Sequence, residues 1–361
     1  MKSSKRWVLP AVFVVVSALY FDVRGVSAEN DVTVATYNIA AGTEGLGLEA
    51  IAETIAASEA EVVGLQEVDV HWGSRSDFED QATRLAELLD MEVFFAPIYT
   101  YDADIPGEPD RQFGLAILSD YPFLETFNHS IARLSTQDAD PEPTLTPGFP
   151  EAGIRVGDAN LWFYSTHLDY RGDPTVREMQ VTDMQDVMAA HPNTVLTGDL
   201  NAMPDAPELA PLFEQFVDVW DVAGVGEGYT FPAGAPDRRI DYVLTSPGME
   251  ISEVETIDSQ ASDHLLVSAQ VQLNPASIQT IQTLVTEYEK AGDIDPIATH
   301  LLQLHLKTLD YFEERGDEEK VRQHLGGFEQ LIAQFQEQGR LTNRALGTIQ
   351  PEVETIQRTM D

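Results

Sequence analysis

Short apolar runs alternate with segments of helical periodicity over residues 31–273. A short apolar run indicates a buried strand, whereas apolar residues spaced three or four apart indicate one face of a helix. The predicted strands are residues 32–37, 61–65, 93–96, 115–118, 161–165, 194–197, 240–244 and 265–271. The predicted helices are residues 48–57, 78–89 and 176–188. Alternation of this kind is typical of a layered α/β or α+β domain.

Residues 134–152 show neither period and contain Pro141, Pro143, Pro147 and Pro150. Because proline cannot donate a backbone hydrogen bond to a sheet, this composition predicts an irregular loop of about twenty residues. Loops of that length are often functional. The length of this loop alone leaves open whether it closes over a site.

After Pro275 the pattern changes, and three amphipathic helices are predicted in succession. Their apolar faces are Ile278, Ile281, Leu284, Val285 and Tyr288; then Ile297, Leu301, Leu304, Leu309 and Phe312; then Val321, Leu325, Phe328, Ile332 and Phe335. A glycine follows each helix and fits its C-terminal end. We therefore divide the chain into a larger domain, residues 29–274, and a helical module, residues 276–361. A plain helical spacer is the alternative for the second part.

Residues 1–28 have the composition of a secretory signal peptide. Three basic residues precede an apolar run at 7–20, and small residues up to Ala28 provide a cleavage site. An uncleaved membrane anchor is disfavoured because this run is short for a spanning helix and no later segment is long enough. We therefore expect a secreted or cell-surface protein, monomeric, with no stable membrane insertion after cleavage.

The chain contains 61 acidic residues, 21 lysines and arginines, and no cysteine. Its formal net charge of −40 repels polyanions at low salt, and its bases form no stripe of the kind that nucleic-acid-binding proteins show. The charge therefore disfavours a nucleic acid as partner without excluding it. An acidic surface poor in lysine predicts a halophilic protein, because salt screens the self-repulsion. The lack of cysteine excludes disulfides, thiol catalysis and cysteine–zinc sites.

Polar residues stand where several predicted strands leave the core. Asn38 follows the first strand and Glu67 the second. A carboxylate at such a position is costly to desolvate unless it is paired or binds a cation, and Mg²⁺ prefers oxygen ligands. Asp199 and Asn201 follow a later strand, and residues two apart in an extended segment point to one face, although Gly-Asp-Leu-Asn taken alone is also a plausible turn. One can then polarise a water molecule while the other hydrogen-bonds a phosphate.

Two histidines, His167 and His264, also lie at strand ends with an aspartate nearby. A single histidine in such a position is usually structural. Two of them, together with Asp241 on the strand at 240–244, are better explained as groups that grip a phosphoryl group. An imidazolium held by a carboxylate stays charged near neutral pH and stabilises developing negative charge.

These residues occur in six segments in a defined order: Thr36-Tyr37-Asn38, Leu65-Gln66-Glu67, Ser165-Thr166-His167, Gly198-Asp199-Leu200-Asn201, Arg239-Ile240-Asp241-Tyr242 and Ser262-Asp263-His264. With them, residues 31–273 resemble the endonuclease/exonuclease/phosphatase (DNase-I-like) superfamily, and most closely its secreted bacterial hydrolases. The resemblance implies an α+β fold, a two-layered β-sandwich flanked by helices. It also implies a metal-dependent phosphoric ester hydrolase.

The resemblance further implies a metal site. The residue matched by Glu67 binds the ion, and those matched by Asn38 and Asp263 lie close to it. The implied cofactor is Mg²⁺, with Mn²⁺ and Ca²⁺ as alternatives.

For catalysis, the resemblance implies that Asp199 activates or orients the attacking water, Asn201 steadies the phosphate and His167 contacts it. His264 acts as general base or acid and is oriented by Asp241. The mechanism implied is direct attack of water on phosphorus, without a covalent intermediate.

The substrate is less constrained than the chemistry. We favour a phosphodiester, small or carried by a lipid, over an extracellular nuclease activity or a non-catalytic surface-binding protein. Arg111 and Arg171 are scarce positive charges near the motifs and could hold a phosphate or headgroup. For Arg177 a salt bridge explains the charge equally well. Some nucleases of this superfamily pair the first histidine with a glutamate near residues 110–114, where this chain has none, so the acid partner of His167 is open.

The C-terminal segment resembles the helical FIMAH-type module found on secreted bacterial hydrolases. This resemblance implies that residues 276–361 bind a surface or a partner.

Overall fold

The computed structural model describes residues 30–43, 46–188 and 191–360. The predicted signal peptide lies outside them. The strands are β1 (Asp31–Asn38), β2 (Val62–Val70), β3 (Glu92–Tyr101), β4 (Arg111–Ser119), β5 (Phe123–Arg133), β6 (Thr144–Val156), β7 (Ala159–His167), β8 (Thr194–Asp199), β9 (Val217–Asp218), β10 (Asp241–Thr245), β11 (Glu250–Ile257) and β12 (Leu266–Gln272). The helices are α1 (Gly47–Ala57), α2 (Gln81–Leu89), α3 (Thr175–Met188), α4 (Ala210–Gln215), α5 (Val219–Ala223), α6 (Ile278–Ala291), α7 (Pro296–Glu313), α8 (Glu318–Glu337) and α9 (Asn343–Thr359).

Within the described residues the strands form two six-stranded sheets, ordered β11-β12-β1-β2-β4-β3 and β5-β6-β7-β8-β10-β9. Aliphatic side chains such as Val62 and Val195 fill the space between the sheets. Helices α1 and α2 cover the outer face of the first sheet, and α3 and α4 cover that of the second. The predicted two-layered α+β sandwich with flanking helices is confirmed.

A parallel strand pair in each sheet brings the polar segments to one end of the sandwich. In the first sheet β1 runs parallel to β2 and places Asn38 beside Gln66. In the second, β7 runs parallel to β8 and pairs His167 with Asp199. Strand β10 runs antiparallel to β8 and begins at this same end, where Asp241 pairs with Asp199. Side chains separated by more than 200 residues in sequence therefore meet at one edge.

The prediction of a loop at residues 134–152 is wrong for its second half. Residues 144–152 belong to β6, which pairs with β5 on one side and β7 on the other. The prolines are tolerated because the β5–β6 ladder shifts register near His129, and the amide of Gly148 bonds the Asn128 side chain instead of a strand partner. The irregular segment is residues 134–143.

Other elements also differ from prediction. The helix expected at 78–89 begins at Gln81, because Asp80 caps it through the Thr83 amide and Phe78 adopts a left-handed backbone with φ of 57°. Strand β11 was not predicted, since its side chains are largely exposed at a sheet edge and give no apolar run.

The described C-terminal residues form a four-helix module with its own apolar core. The predicted buried faces of α6 and α8 are confirmed. The face predicted for α7 is wrong in part: Ile297, Leu301 and Leu304 are exposed, and Ala298, Leu302 and Leu306 are buried instead. The end of that face is confirmed, because Leu309 is buried and Phe312 packs against the core. Helix α7 is apolar on more than one side, so periodicity does not select its buried face. Helix α9, which contains Pro351, was not predicted.

The module packs against the second sheet through a buried polar contact between α9 and β7. Asn160 donates to Glu352 over 3.0 Å and accepts from Thr355 over 3.1 Å. Beside it, the ring of His191 meets the hydroxyl of Thr348 at 2.9 Å. None of the helices in the described residues is long and apolar enough to cross a bilayer.

Candidate active site

The candidate site centres on the side chain of Asn38, the last residue of β1. Its Nδ2 lies 3.3 Å from Glu67 Oε1, 3.1 Å from Asp199 Oδ2 and 3.5 Å from His264 Nε2. Its Oδ1 accepts from the amide of Ala40 over 3.1 Å, which fixes the amide so that the nitrogen faces the carboxylates. One neutral donor thus brings two carboxylates from the two sheets together.

Glu67 lies at an irregularity in β2, where the pairing with β4 shifts between Leu65 and Val68. Its backbone is left-handed, with φ of 58°, a conformation that costs a non-glycine residue roughly 1 kcal/mol. Irregularities of this kind re-aim a side chain without ending the strand. Here the strained backbone holds the Glu67 carboxylate at Asn38 instead of leaving it beside the sheet.

Asp199 is buried and ends β8. Its Oδ1 accepts from the amide of Asn201 over 2.9 Å, and its Oδ2 lies 3.5 Å from His167 Nε2 and 3.7 Å from His264 Nε2. Burial, followed by the negative charge of Asp241, raises the pKa of Asp199, while the histidines oppose the shift. A carboxylate with a raised pKa is a better acceptor of a proton.

The Gly-Asp-Leu-Asn segment is sterically specific. A Cβ at Gly198, whose φ is 154°, would lie 2.2 Å from the carbonyl oxygen of Thr166. Asn201 has a left-handed φ of 51°, so the strand alternation we invoked to align it with Asp199 does not apply. The two are joined by a turn, and the side-chain Nδ2 of Asn201 donates to the carbonyl of Leu168 over 3.0 Å.

His264 pairs with Asp241. Its Nδ1 lies 2.9 Å from Asp241 Oδ2, which also accepts from the Thr230 hydroxyl over 2.5 Å. Burial lowers the pKa of His264, but Asp241, with help from Asp199 and Asp263, outweighs burial and raises it to about 10. The imidazole is therefore charged at neutral pH, with Nδ1 donating to Asp241 and Nε2 directed toward Asp199 and Asn38.

His167 and Asp263 lie at the rim of this cluster. The carboxylate nearest to His167 is Asp199, so the partner that sequence reasoning left open comes from the next strand. Asp263 Oδ1 lies 4.0 Å from His264 Nε2, and its side chain is 41% exposed.

The cluster suits a divalent cation. No arginine or lysine among the described residues lies within 4.0 Å of the Glu67 or Asp199 carboxylates, although Asn38 Nδ2 holds both within 3.3 Å. The ligand atoms of Asp199, Asp241 and His264 lie within 4.8 Å of one another, but a charged His264 cannot bind a cation, so the carboxylates are the candidate ligands. Carboxylate oxygens without an arginine or lysine partner are ligands of the kind that Mg²⁺ takes.

The arginines considered from sequence are all paired. Arg111 contacts Asp104 at 3.3 Å and lines a separate groove beside Ile105. Arg171 is ion-paired with Asp169 and donates to the carbonyls of residues 134 and 135. Arg177 forms a buried pair with Glu208 at 2.6 Å, which is the salt-bridge alternative.

A cleft of about 210 Å³ opens beside the cluster and is bordered by Glu67 and His167. Its walls include Tyr99, Phe113 and Arg133, which sequence analysis did not select. Tyr99 lies on a strand with no nearby motif, and Phe113 lies in the segment 110–114, which drew attention only for its missing glutamate. Arg133 directly precedes the segment predicted as a loop.

Solved structures similar to this chain include the endonuclease/exonuclease/phosphatase from Beutenbergia cavernae DSM 12333, at 23% identity and a TM-score of 0.53, covering 68% of this chain and 72% of that one. A functionally unknown conserved protein from Enterococcus faecalis V583 is 18% identical with a TM-score of 0.53, covering 67% of this chain and 100% of that one. At these identities the likeness shows the fold. No curated protein matches the chain significantly in sequence.

Two family profiles match different parts of the sequence. That of the FIMAH domain matches residues 278–358, the helical module. That of the Endonuclease/Exonuclease/phosphatase family, whose members are hydrolases of phosphate esters and typically use divalent metals, matches residues 35–264. This second match covers most of the sandwich and all six polar segments. The chain belongs to the endonuclease/exonuclease/phosphatase family.

Proposed function

We propose that this protein is a secreted, Mg²⁺-dependent phosphoesterase that hydrolyses a phosphodiester by direct attack of water. One observation carries the proposal: Asn38 joins the Glu67 and Asp199 carboxylates, while the charged His264–Asp241 pair faces the same point. This places a carboxylate acceptor and a cationic donor around one small volume. In an in-line displacement at phosphorus, the acceptor can orient the attacking water and the cationic donor can stabilise the developing negative charge.

Glu67 would hold the ion, with Asn38 and Asp263 nearby, and a bound Mg²⁺ would supply a Lewis acid that draws charge from a phosphoryl oxygen. The choice of Mg²⁺ over Mn²⁺ or Ca²⁺ rests on the oxygen donor set.

The side chains divide the remaining work. Asp199, with its raised pKa, orients the attacking water and accepts its proton. His264 donates a hydrogen bond from Nε2 to the developing charge, while Asp241, itself held by the Thr230 hydroxyl, fixes the imidazole ring. His167 and Asn201 flank Asp199 and contact the phosphate.

The remaining parts of the proposal rest on the sequence. The leader supports export, and the excess of acid over base supports adaptation to high salt. We propose a monomer whose FIMAH domain binds a surface or partner outside the catalytic cleft. Substrate contacts from Arg111 and Arg171 stay predictions, since each guanidinium is already paired with a carboxylate.

The test is hydrolysis by the mature protein over a range of salt, with Mg²⁺, Mn²⁺ or Ca²⁺. The substrates are bis(p-nitrophenyl) phosphate, p-nitrophenyl phosphate, DNA, RNA and sphingomyelin, with the Asp199→Ala variant as blank. We expect metal-dependent turnover, highest on a diester and absent from the blank. Turnover that survives in the blank, or none on any substrate, contradicts the proposal; preference for DNA or RNA selects a nuclease.

A further inference from the structure

Arg133 differs from the other arginines of the sandwich. Within the described part of residues 30–273, eight of nine arginines pair with an aspartate or glutamate within 4.0 Å: Arg75, Arg84, Arg111, Arg155, Arg171, Arg177, Arg238 and Arg239. Arg133 has no such pair among the described residues. In a chain with 61 acidic residues, a guanidinium kept apart from every described carboxylate is unexpected.

The Arg133 side chain is also buried, with 8% of the residue exposed. Nη1 donates to the carbonyl of His167 over 3.1 Å and Nη2 to that of Gly148 over 2.7 Å. Nε has no hydrogen-bond partner among the described residues. Burial lowers the pKa of Arg133 to about 10, so the fold bears the cost of a desolvated charge that two neutral carbonyls only partly offset.

The backbone around Arg133 is shaped to admit it. Gly148 has a φ of 116°, and a Cβ there would lie 3.3 Å from Arg133 Nη2 and 2.3 Å from Ile98. Asp169, the aspartate whose charge reaches Arg133, is ion-paired with Arg171. Arg133 therefore lines the cleft beside His167 without an ion pair of its own among the described residues.

Two other residues that line the cleft are aromatic, Tyr99 and Phe113. Their rings lie 6.3 Å apart with planes 19° from parallel, and they contact the rings of Tyr101 and Trp72. Flat apolar faces of this kind receive a ring. The volume of about 210 Å³ is below the range typical of drug-sized ligands, so the cleft admits a small group.

We propose that Arg133, Tyr99 and Phe113 form a substrate subsite for a small phosphate ester whose organic group is a ring. Arg133 receives an anionic oxygen of the ester, and the ring lies against Tyr99 and Phe113. The inference rests on the proposed function only in naming the ligand a substrate. Binding of an anion at Arg133 is independent of turnover.

Anion binding is tested by calorimetric titration of inorganic phosphate into the metal-free mature protein at high salt with EDTA. We expect Arg133→Gln to weaken binding at least about tenfold, because hydrogen bonds to a charged group are lost. Arg155→Gln, which removes a paired arginine remote from the cleft, should match the wild type. Equal affinity in Arg133→Gln and wild type, or no binding by the wild type, overturns the anion subsite.

Ring recognition is tested by kcat/KM on one aryl, one sugar and one open-chain ester of the phosphate type that the enzyme hydrolyses. Each variant is compared with wild type on the same substrate, so differences in intrinsic reactivity cancel. We expect Phe113→Leu and Tyr99→Leu to lower kcat/KM about tenfold on a ring-bearing ester and less than about twofold on the open-chain ester. The aryl and sugar arms identify the ring; an equal loss on all three overturns ring recognition.

The Arg133→Lys variant distinguishes a loss of anion binding from a folding defect, because lysine keeps the positive charge but cannot make both hydrogen bonds to the carbonyls. We expect it to retain phosphate affinity within about fivefold even where thermal unfolding shows lost stability. If Arg133→Lys and Arg133→Gln lose affinity equally and in step with their melting temperatures, Arg133 is structural and the proposal fails. Absence of turnover in the wild type with intact phosphate binding would overturn the proposed function but not the anion subsite.

Discussion

Two buried histidines stand in opposite environments. His264 faces three aspartates in the candidate active site, and the pKa of its ring rises to about 10 although burial lowers it. His191 stacks on Trp162 at 4.1 Å and meets hydroxyls of Tyr164 and Thr348, and burial lowers its pKa to about 4. Burial opposes charge at both, so the neighbours decide. The neighbours of His264 stabilise a charged imidazole, whereas those of His191 leave its imidazole neutral.

The largest expected effect is at the charged cluster. Asp199→Asn keeps the size of the side chain but removes the acceptor between the two histidines, and we expect turnover to fall about a thousandfold or more. Thermal unfolding should change little, because repulsion with Asp241 is also removed. Asp205→Asn, an exposed change six residues on, should match the wild type. Activity within about tenfold of wild type in Asp199→Asn would mean that this carboxylate does not act on water.

The next largest effect concerns the buried contact between α9 and β7, where the free energy of unfolding should depend on pH. Burial raises the pKa of Glu352 from 4.5 to about 7, against the opposing effects of Asn160 and Arg155. The folded state therefore holds its proton more tightly than the unfolded state, and wild-type stability falls as pH rises from about 4.5 to 7. Glu352→Gln removes that loss and retains an acceptor for Asn160. Its free energy of unfolding should gain on wild type by up to about 3 kcal/mol across this window.

The measurement is urea unfolding of both proteins at several pH values between 4 and 8. Glu354→Gln, which alters a carboxylate 41% exposed on the same helix, is the matched control and should show no comparable gain. A difference between Glu352→Gln and wild type that stays constant with pH would show that Glu352 ionises as freely in the fold as outside it.

A smaller effect is expected from the hydroxyls around His191. Tyr288→Phe removes a bond of 2.6 Å to Thr348 and one of 3.2 Å to His191, and should cost about 1–2 kcal/mol in urea unfolding. Turnover should not change, since Tyr288 lies in the module. Tyr311→Phe, at a half-exposed position on α7, serves as control. A drop in turnover in Tyr288→Phe at equal folded fraction would connect the module contact to catalysis.

The smallest expected effect is that of salt, which should act on charges at the surface and hardly at all on a buried neutral contact. The melting temperature of the wild type should rise from low to molar salt, because screening reduces repulsion among its acidic residues. The stability gap between Tyr288→Phe and wild type should stay within about 0.5 kcal/mol over the same range, since a buried neutral contact is barely screened. A melting temperature that does not rise with salt would contradict halophilic adaptation.

Sequence analysis located the polar cluster because its residues mark the ends of buried strands, and parallel pairing brings such ends together. Asn38, Glu67, Asp199, Asp241 and His264 meet in the structure for that reason. Their division of roles stays a prediction. The turn at Asn201 was one of two structures that the local sequence allowed, and the Asp199 side chain forms it. The carboxylate beside His167 lies on the neighbouring strand, so the local pattern did not contain it.

Other features were hidden because they are properties of pairs. A guanidinium looks equally available at Arg111, Arg171 and Arg133 in sequence, and only the fold shows which ones a carboxylate has neutralised. The proline-rich sequence of β6 predicted a loop, because the sequence does not show the register shift in the β5–β6 ladder that accommodates the prolines. The buried face of α7 depended on where the other helices of the module stand.

The junction between sandwich and module has a consequence for how the chain unfolds. Asn193 bonds both the amide and the carbonyl of Asn274, and the amide of Ala276 donates to Asp158 over 2.9 Å, so the connecting segment is held against the sandwich. Removing the module would leave Asn160, His191 and Glu125 facing water from a surface shaped for α9. We therefore expect the two sequence domains to melt in a single cooperative transition: a boundary in the family profiles is not a boundary in stability.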